Sequence, residues 1–300
     1  IIQKKSKECI LEEAKQLTKL PNFKGYIHDI GGPTANFRQP SCEKQKELGL
    51  CKGKKCLAPK VCPALKADHS EYIDILREVR SLDKVKKVFI RSGIRYDYML
   101  RDEDETFFKE LIRHHVSGQL KVAPEHCSAQ VLEKMGKPYI DAYVNFSKRY
   151  FELSKSVGKE QYLVPYLMSS HPGSRLEDAV ELALFLKKRN IRPEQVQDFY
   201  PTPGTISTCM FYTGLDPYTL KEVYVAKTPE EKAMQRALLQ YYNPKNKDMI
   251  VKALKKANRY DLIGKGEKCL VSSVAETQKN KSYKTSRGNN YGKKRKKNGK

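Results

Sequence analysis

No apolar run in this chain approaches the ~18–20 residues that a membrane-spanning helix needs, which argues against a membrane protein. No secretory signal is visible, so a cytoplasmic protein is the default expectation. Without a secretory route, the eight cysteines (Cys9, Cys42, Cys51, Cys56, Cys62, Cys127, Cys209 and Cys269) are not expected to pair as disulfides. No internal repeat is present. The stretch 278–300 has no acidic residue and ten basic ones, and its composition predicts a disordered tail.

What is present is an excess of positive charge and a βα alternation. The formal net charge is +23, of which about +13 remains outside the tail. Such a balance suits RNA or another polyanion as partner, though a solvated surface with a disordered end is the first expectation. Hydrophobic residues make up 39% of the 300, enough for one large α/β domain with appendages. Ile1 stands where a complete chain would have Met, and a helix-like segment, Ser6–Leu20, follows at once. The natural start is therefore expected upstream.

The chain is organised around Lys24–Asn36, KGYIHDIGGPTAN. An apolar run stops at Asp29 and gives way to Gly31, Gly32 and Pro33, where backbone without side chains can turn and approach a ligand. Four later segments share this grammar: KKVFIRSG (86–93), QLKVAPEH (119–126), QYLVPYLMSSHPG (161–173) and QVQDFYPTPGT (195–205). Helical patterns separate them, over about 68–82, 104–115, 129–135, 140–157 and 176–189, with two more over 229–242 and 246–257. The alternation predicts parallel strands with helical crossovers, and ligands at the strands' carboxyl ends. Five strands are too few for a closed eight-stranded barrel. They fit a partial barrel, lacking its first unit or units, or a doubly wound sheet.

Several strand-end residues are candidates for a polar ligand, each with a structural alternative. Ser92 is a hydroxyl for a ligand or for the fold. Glu125 accepts from ligand hydroxyls or caps the next helix. His171 is a loop histidine or a site residue, and Tyr200 packs against a base or in the core. Arg91, Arg95, His114, His115 and Lys121 supply charge to a site mouth or to the surface. Cys42, Cys51, Cys56 and Cys62 fall within 21 residues, spaced C-x8-C-x4-C-x5-C, in a long connection over 34–67. Four thiolates suit zinc or an auxiliary Fe–S cluster, with His69 as a substitute ligand. The alternative is four free thiols in a basic loop.

The segments GYIHDIGGPTANF, KVFIRSGIRYDY, LKVAPEH with MGKP, YLVPYLMSSHPG and QVQDFYPTPGT, in this order, resemble the YgiQ-type radical S-adenosylmethionine (SAM) proteins from about Ile1 to Val271. The resemblance implies an α/β partial (β/α) barrel over 1–227 with the Cys-rich insertion, a helical extension over 228–271 and the basic tail over 272–300. It also implies a radical SAM enzyme of unknown substrate. In this family a [4Fe–4S] cluster on a CxxxCxxC loop cleaves SAM reductively to a 5′-deoxyadenosyl radical, with an electron donor such as flavodoxin or ferredoxin. No CxxxCxxC occurs here, so those ligands are expected upstream of residue 1 and the fragment alone is expected to be inactive. By the same resemblance, Gly31, Gly32 and Pro33 form the turn that meets the methionyl amino group of SAM, and Tyr200 lies near adenine. The other reading is a basic RNA-binding or metal-binding module without catalysis of its own.

Overall fold

A computed structural model describes residues 3–32, 34–194 and 196–272. Pro33 and the basic tail beyond Ser272 lie outside the described residues.

Helix α1 (Lys7–Thr18) begins where the Ser6 hydroxyl accepts from the Cys9 amide at 3.2 Å. Strand β1 (Tyr26–Ile27) follows, then a short helix α2 (Glu43–Leu48) inside the cysteine-rich connection. Helix α3 (Ser70–Ser81) buries Tyr72, Ile75, Leu76 and Val79 on one face. It returns the chain to β2 (Lys87–Val88), which pairs with β1 in parallel. Two short helices, α4 (Tyr96–Met99) and α5 (Thr106–Glu110), lead into a π-helical turn over Leu111–His115.

Strand β3 (Gln119–Glu125), α6 (Ala129–Met135), α7 (Ile140–Ser156), β4 (Tyr162–Ser169), α8 (Leu176–Lys188) and β5 (Gln197–Asp198) complete a second parallel set in the order β3-β4-β5. Helix α6 stops at Gly136, whose φ of 66° is left-handed and suits a residue without Cβ. After α9 (Ile206–Thr213), Thr228 and Glu231 cap α10 (Pro229–Leu239) reciprocally, with Pro229 at its first turn. Helix α11 (Lys247–Lys256) packs on α10, and α10 packs on α8 and β4. Among the described residues no helix is long and apolar enough to cross a membrane.

The predicted helices are found nearly where the periodicity puts them. The strands differ. KKVFIRSG is paired only at Lys87–Val88, and no ladder joins β2 to β3 among the described residues. The reason is local: the Ile90 amide donates to the carbonyl of His115 at 3.0 Å, so the π-turn takes the bond that a neighbouring strand would have had. The two sets still meet, because Gly93 lies so close to the Lys121 carbonyl that a Cβ there would sit 3.3 Å from it. The fold is thus mixed α/β with every strand pair parallel.

One core runs through this arrangement, from α1, α3 and the strands to α7, where Phe146 stacks on Phe108 at 5.4 Å between ring centres. A second joins α8, α10 and α11. Four histidines, His69, His115, His126 and His171, are buried. His115 Nδ1 bonds the Val88 carbonyl, His126 Nδ1 accepts from the Ser128 amide, and His171 is bonded through both nitrogens. Burial drives all three down to about 4, and His69 is lowered for the same reason.

Phe146→Ala opens a cavity beside Phe108 and Tyr150 and is expected to cost ~3–5 kcal/mol in urea denaturation; a loss under ~1 kcal/mol would contradict the packing. The histidines predict a pH dependence. Below pH ~6.5 the unfolded chain takes up protons that the folded chain refuses. Stability is therefore present above that value and lost as pH falls toward 4. The urea midpoint should drop between pH 7 and 5, and a profile flat over that window would refute the assignment.

Candidate functional site

The carboxyl ends of β2 and β3 open onto a cavity of about 520 Å³. Ser92, Gly93, Arg95, Tyr96 and Asp97 form one wall, and Lys121, Ala123 and Glu125 another. Lys137, Pro138, Tyr166 and Gln197 close it. A volume of this size suits a nucleoside-sized ligand.

Strand β3 is built irregularly at this point. Its register against β4 shifts between Val122 and Glu125, and Glu125 itself has φ 67°. A left-handed non-glycine residue costs of order 1–3 kcal/mol and persists only where its surroundings enforce it. The Glu125 carboxylate lies 3.4 Å from Lys137 Nζ, which also donates to the Ala123 carbonyl at 3.2 Å. The Ser92 Oγ is buried and has no hydrogen-bond partner, a costly condition that a bound polar group would relieve. Arg95 is clamped by Asp97 through 2.8 and 2.5 Å bonds and lies 5.1 Å over the Phe37 ring. Lys121 Nζ lies 5.9 Å from the Tyr166 ring centre. Three cations and two carboxylates thus line one cavity, fit for a ligand carrying both signs.

The glycine turn lines an adjoining cavity of about 470 Å³, with Asp29, Arg38 and Tyr72, and Thr34 lines both. Gly31 (φ 151°) admits no side chain, since a Cβ would sit 2.7 Å from that of Ala35 and 2.8 Å from the Tyr72 hydroxyl. A Cβ on Gly32 would meet nothing within 4 Å, so open space faces its backbone. The turn is fastened to β2 by Ile30 N–H to the Phe89 carbonyl (3.1 Å) and Arg91 N–H to the Asp29 carboxylate (2.9 Å).

A buried polar string holds the two loops together. Asn36 donates to the Arg95 carbonyl (3.1 Å) and accepts from its amide (3.0 Å). It also meets His69 Nε2 at 3.1 Å, and His69 Nδ1 lies 2.6 Å from Asp102. The carboxylate fixes the proton on Nδ1, leaving Nε2 to accept from Asn36.

Among the sequence-selected residues, Ser92, Glu125, Arg95 and Lys121 share the first cavity, with Gly31 and Gly32 in the next. His171 is buried elsewhere, 2.8 Å from both Ser207 Oγ and the Pro172 carbonyl, and lines neither. Tyr200 is 76% exposed and lines neither. Arg91 is exposed, and His115 is buried beneath β2. Thr34, Asn36, Lys137, Tyr166 and Gln197 were not singled out by sequence. Lys137 had a signal, as the residue after a glycine that ends a helix beside the site.

The four clustered cysteines are half-buried free thiols. The Cys56 thiol is pushed up by burial, then by the charges of Cys62, Cys42 and Cys51. Among the described residues no three His, Cys, Asp or Glu side chains are drawn close enough to hold a metal ion.

A family described as "Domain of unknown function (DUF3362)" matches residues 194–300, from just before β5 onward. The chain is 60% identical to a UPF0313 protein of Clostridium perfringens (strain 13 / Type A) over 271 residues, 90% of this chain and 41% of that protein. It is 56% identical to a UPF0313 protein of Clostridium botulinum (strain 657 / Type Ba4) over 271 residues, 90% of this chain and 42% of the relative. The chain therefore spans about two-fifths of the length of these relatives, and is similar over nine-tenths of its own length to UPF0313 proteins.

Proposed function

We propose that this chain is the SAM-holding part of a radical SAM protein of the YgiQ type, with its two parallel strand sets forming an arc of a partial barrel. The observation that carries the reading is the strand-end cavity, lined by Ser92, whose buried hydroxyl has no partner, and by Glu125 on strained backbone, beside an open glycine turn. SAM carries a carboxylate, an ammonium, a sulfonium and a ribose diol. Lys121 or Lys137 can neutralise the carboxylate. Backbone carbonyls around Gly31 and Gly32 can accept from the ammonium, and Glu125 can accept from the diol.

A [4Fe–4S] cluster supplies the electron for reductive cleavage of SAM. The CxxxCxxC loop for it does not occur in these 300 residues. The chain's own share is to bind and orient the cofactor and to keep water out. An electron donor of the flavodoxin or ferredoxin kind is the partner this reading implies.

Isothermal titration of SAM into the full chain tests it. Glu125→Gln is expected to weaken binding roughly 10-fold or more, the worth of a hydrogen bond to a charged acceptor (~1.5–3 kcal/mol), and Ser92→Ala several-fold less. Tyr200→Ala, lying outside both cavities, should leave affinity unchanged. No SAM binding by the parent chain, or equal affinity in Glu125→Gln and Ser92→Ala, would overturn the reading. Salt-sensitive RNA affinity that is lost with residues 278–300, in a chain that ignores SAM, would favour a basic RNA-binding module instead.

A further inference from the structure

The connection after α2 needs something to hold its shape. Residues 49–69 contain no helix or strand, and within them only Leu57, Ala58 and His69 are buried. So long an irregular segment with so little core is poorly determined by packing alone. Main-chain bonds nevertheless gather it. The Lys66 amide donates to the Ser41 carbonyl at 2.8 Å, closing the loop at its base beside Cys42. The Cys62 amide donates to the Cys56 carbonyl, also at 2.8 Å, which folds the far end back on itself. Cys42 stands at the N-cap of α2, anchored through its carbonyl to Gln45 and Lys46. The loop so gathered carries four thiols, each half-buried, with no disulfide among them.

From this arrangement we infer that Cys42, Cys51, Cys56 and Cys62 form a four-thiolate site for one borderline-soft divalent cation of the zinc class, which closes the loop when bound. The chemistry follows from what the loop contains. Thiolates select zinc-like cations over magnesium or calcium, and four of them complete a closed tetrahedral shell of the structural kind. The cation is what draws the four thiols together. Each releases a proton and takes up one metal bond, with no change of oxidation state. The net double negative charge of such a centre is offset by Lys52, Lys54, Lys55 and Lys60 in the same loop. The single ion is favoured over a bulkier iron–sulfur cube because the turn joining Cys56 to Cys62 is tight. In addition, none of the cavities beside the strand ends is lined by these cysteines.

The site has a structural consequence. The Lys55 side chain lies directly on Gly136, where an added Cβ would collide with it, and Gly136 precedes Lys137 and Pro138 of the cavity wall. An ion at Cys56 therefore sets one edge of the cavity mouth.

Cobalt(II) added to the full, metal-stripped chain under anaerobic conditions is the probe. About one cobalt per chain is expected, with intense thiolate-to-metal absorption and tetrahedral d–d bands that zinc then bleaches. Cys56→Ser and Cys42→Ser should each weaken cobalt binding at least 10-fold, while Cys9→Ser and Cys209→Ser, at exposed cysteines elsewhere, should bind as the parent does. Far-UV circular dichroism of the metal-free variants checks that the rest of the chain is folded. Cobalt bound without thiolate bands, equal affinity in Cys56→Ser and the parent, or isolation of the parent with stoichiometric iron and sulfide in this loop would each overturn the inference.

Discussion

The side chain of Asn36 is the fastening on which the candidate site depends. Its amide grips both main-chain groups of Arg95, 59 residues further on, while fully buried. Each of these bonds would leave an unpaired buried group if the amide were lost, at ~1–3 kcal/mol apiece. The consequence is geometric. The glycine turn and the Ser92–Asp97 wall come from different strand ends, and Asn36 fixes their separation. His69 stands behind Asn36 in a single tautomer set by Asp102, so even the orientation of the amide is determined. Phe107 stacks on the His69 ring at 4.5 Å and ties this polar string to the main core.

Strain marks the same end of the sheet. Glu125 and Ser170 both have left-handed backbone, φ 67° and 61°, and they end β3 and follow β4 respectively. Neither conformation is cheap for a residue with a side chain, and each has a visible enforcer. At Glu125 it is the slipped register against β4 and the Lys137 ion pair. At Ser170 it is Gln235 of α10, whose side-chain oxygen accepts from the Ser170 amide at 2.9 Å and whose amide nitrogen donates to the Ser174 carbonyl at 2.8 Å. The C-terminal helices thus do more than cover α8. Through one glutamine they hold a strand-end loop in its strained form, which links the region matched by the DUF3362 family to the sheet it packs against.

Helices were legible because their signals are local: Ser6 before α1, Thr228-Pro229 before α10, and apolar residues at spacing 3–4 along α3 and α7. Strand lengths were not, because pairing depends on what arrives alongside. Nothing within KKVFIRSG reports that Ile90 gives its N–H to a π-turn 25 residues later. The site divides the same way. Sequence order tells which residues stand at a strand's carboxyl end, and Ser92 and Glu125 do meet there. It does not tell where a side chain turns after the strand stops. His171 turns inward because the Ser207 hydroxyl and Pro172 carbonyl satisfy both ring nitrogens, and Tyr200 turns to solvent. Asn36 carries no pattern at all, since its role exists only once two distant loops meet.

The charge of the chain acquires a more particular meaning from this geometry. A surplus of lysine reads from composition alone as a polyanion surface. Around the cavity, however, two of the three cations are held by carboxylates, Arg95 by Asp97 and Lys137 by Glu125, while Lys121 lies against the Tyr166 ring. Such pairs cancel charge locally and orient donors, so they favour a small ligand bearing both signs over an extended phosphate backbone. Lys52, Lys54, Lys55 and Lys60 lie in the cysteine loop, where thiolates around a bound cation would need them. On this view the lysines near the strand ends serve two separate tasks, one to meet the carboxylate of a small molecule bearing both signs and the other to offset the thiolates around a bound ion. The short run from Gly136 to Pro138 is where the two meet, because Lys55 of the loop rests on the first of these residues while Lys137 reaches the Glu125 carboxylate.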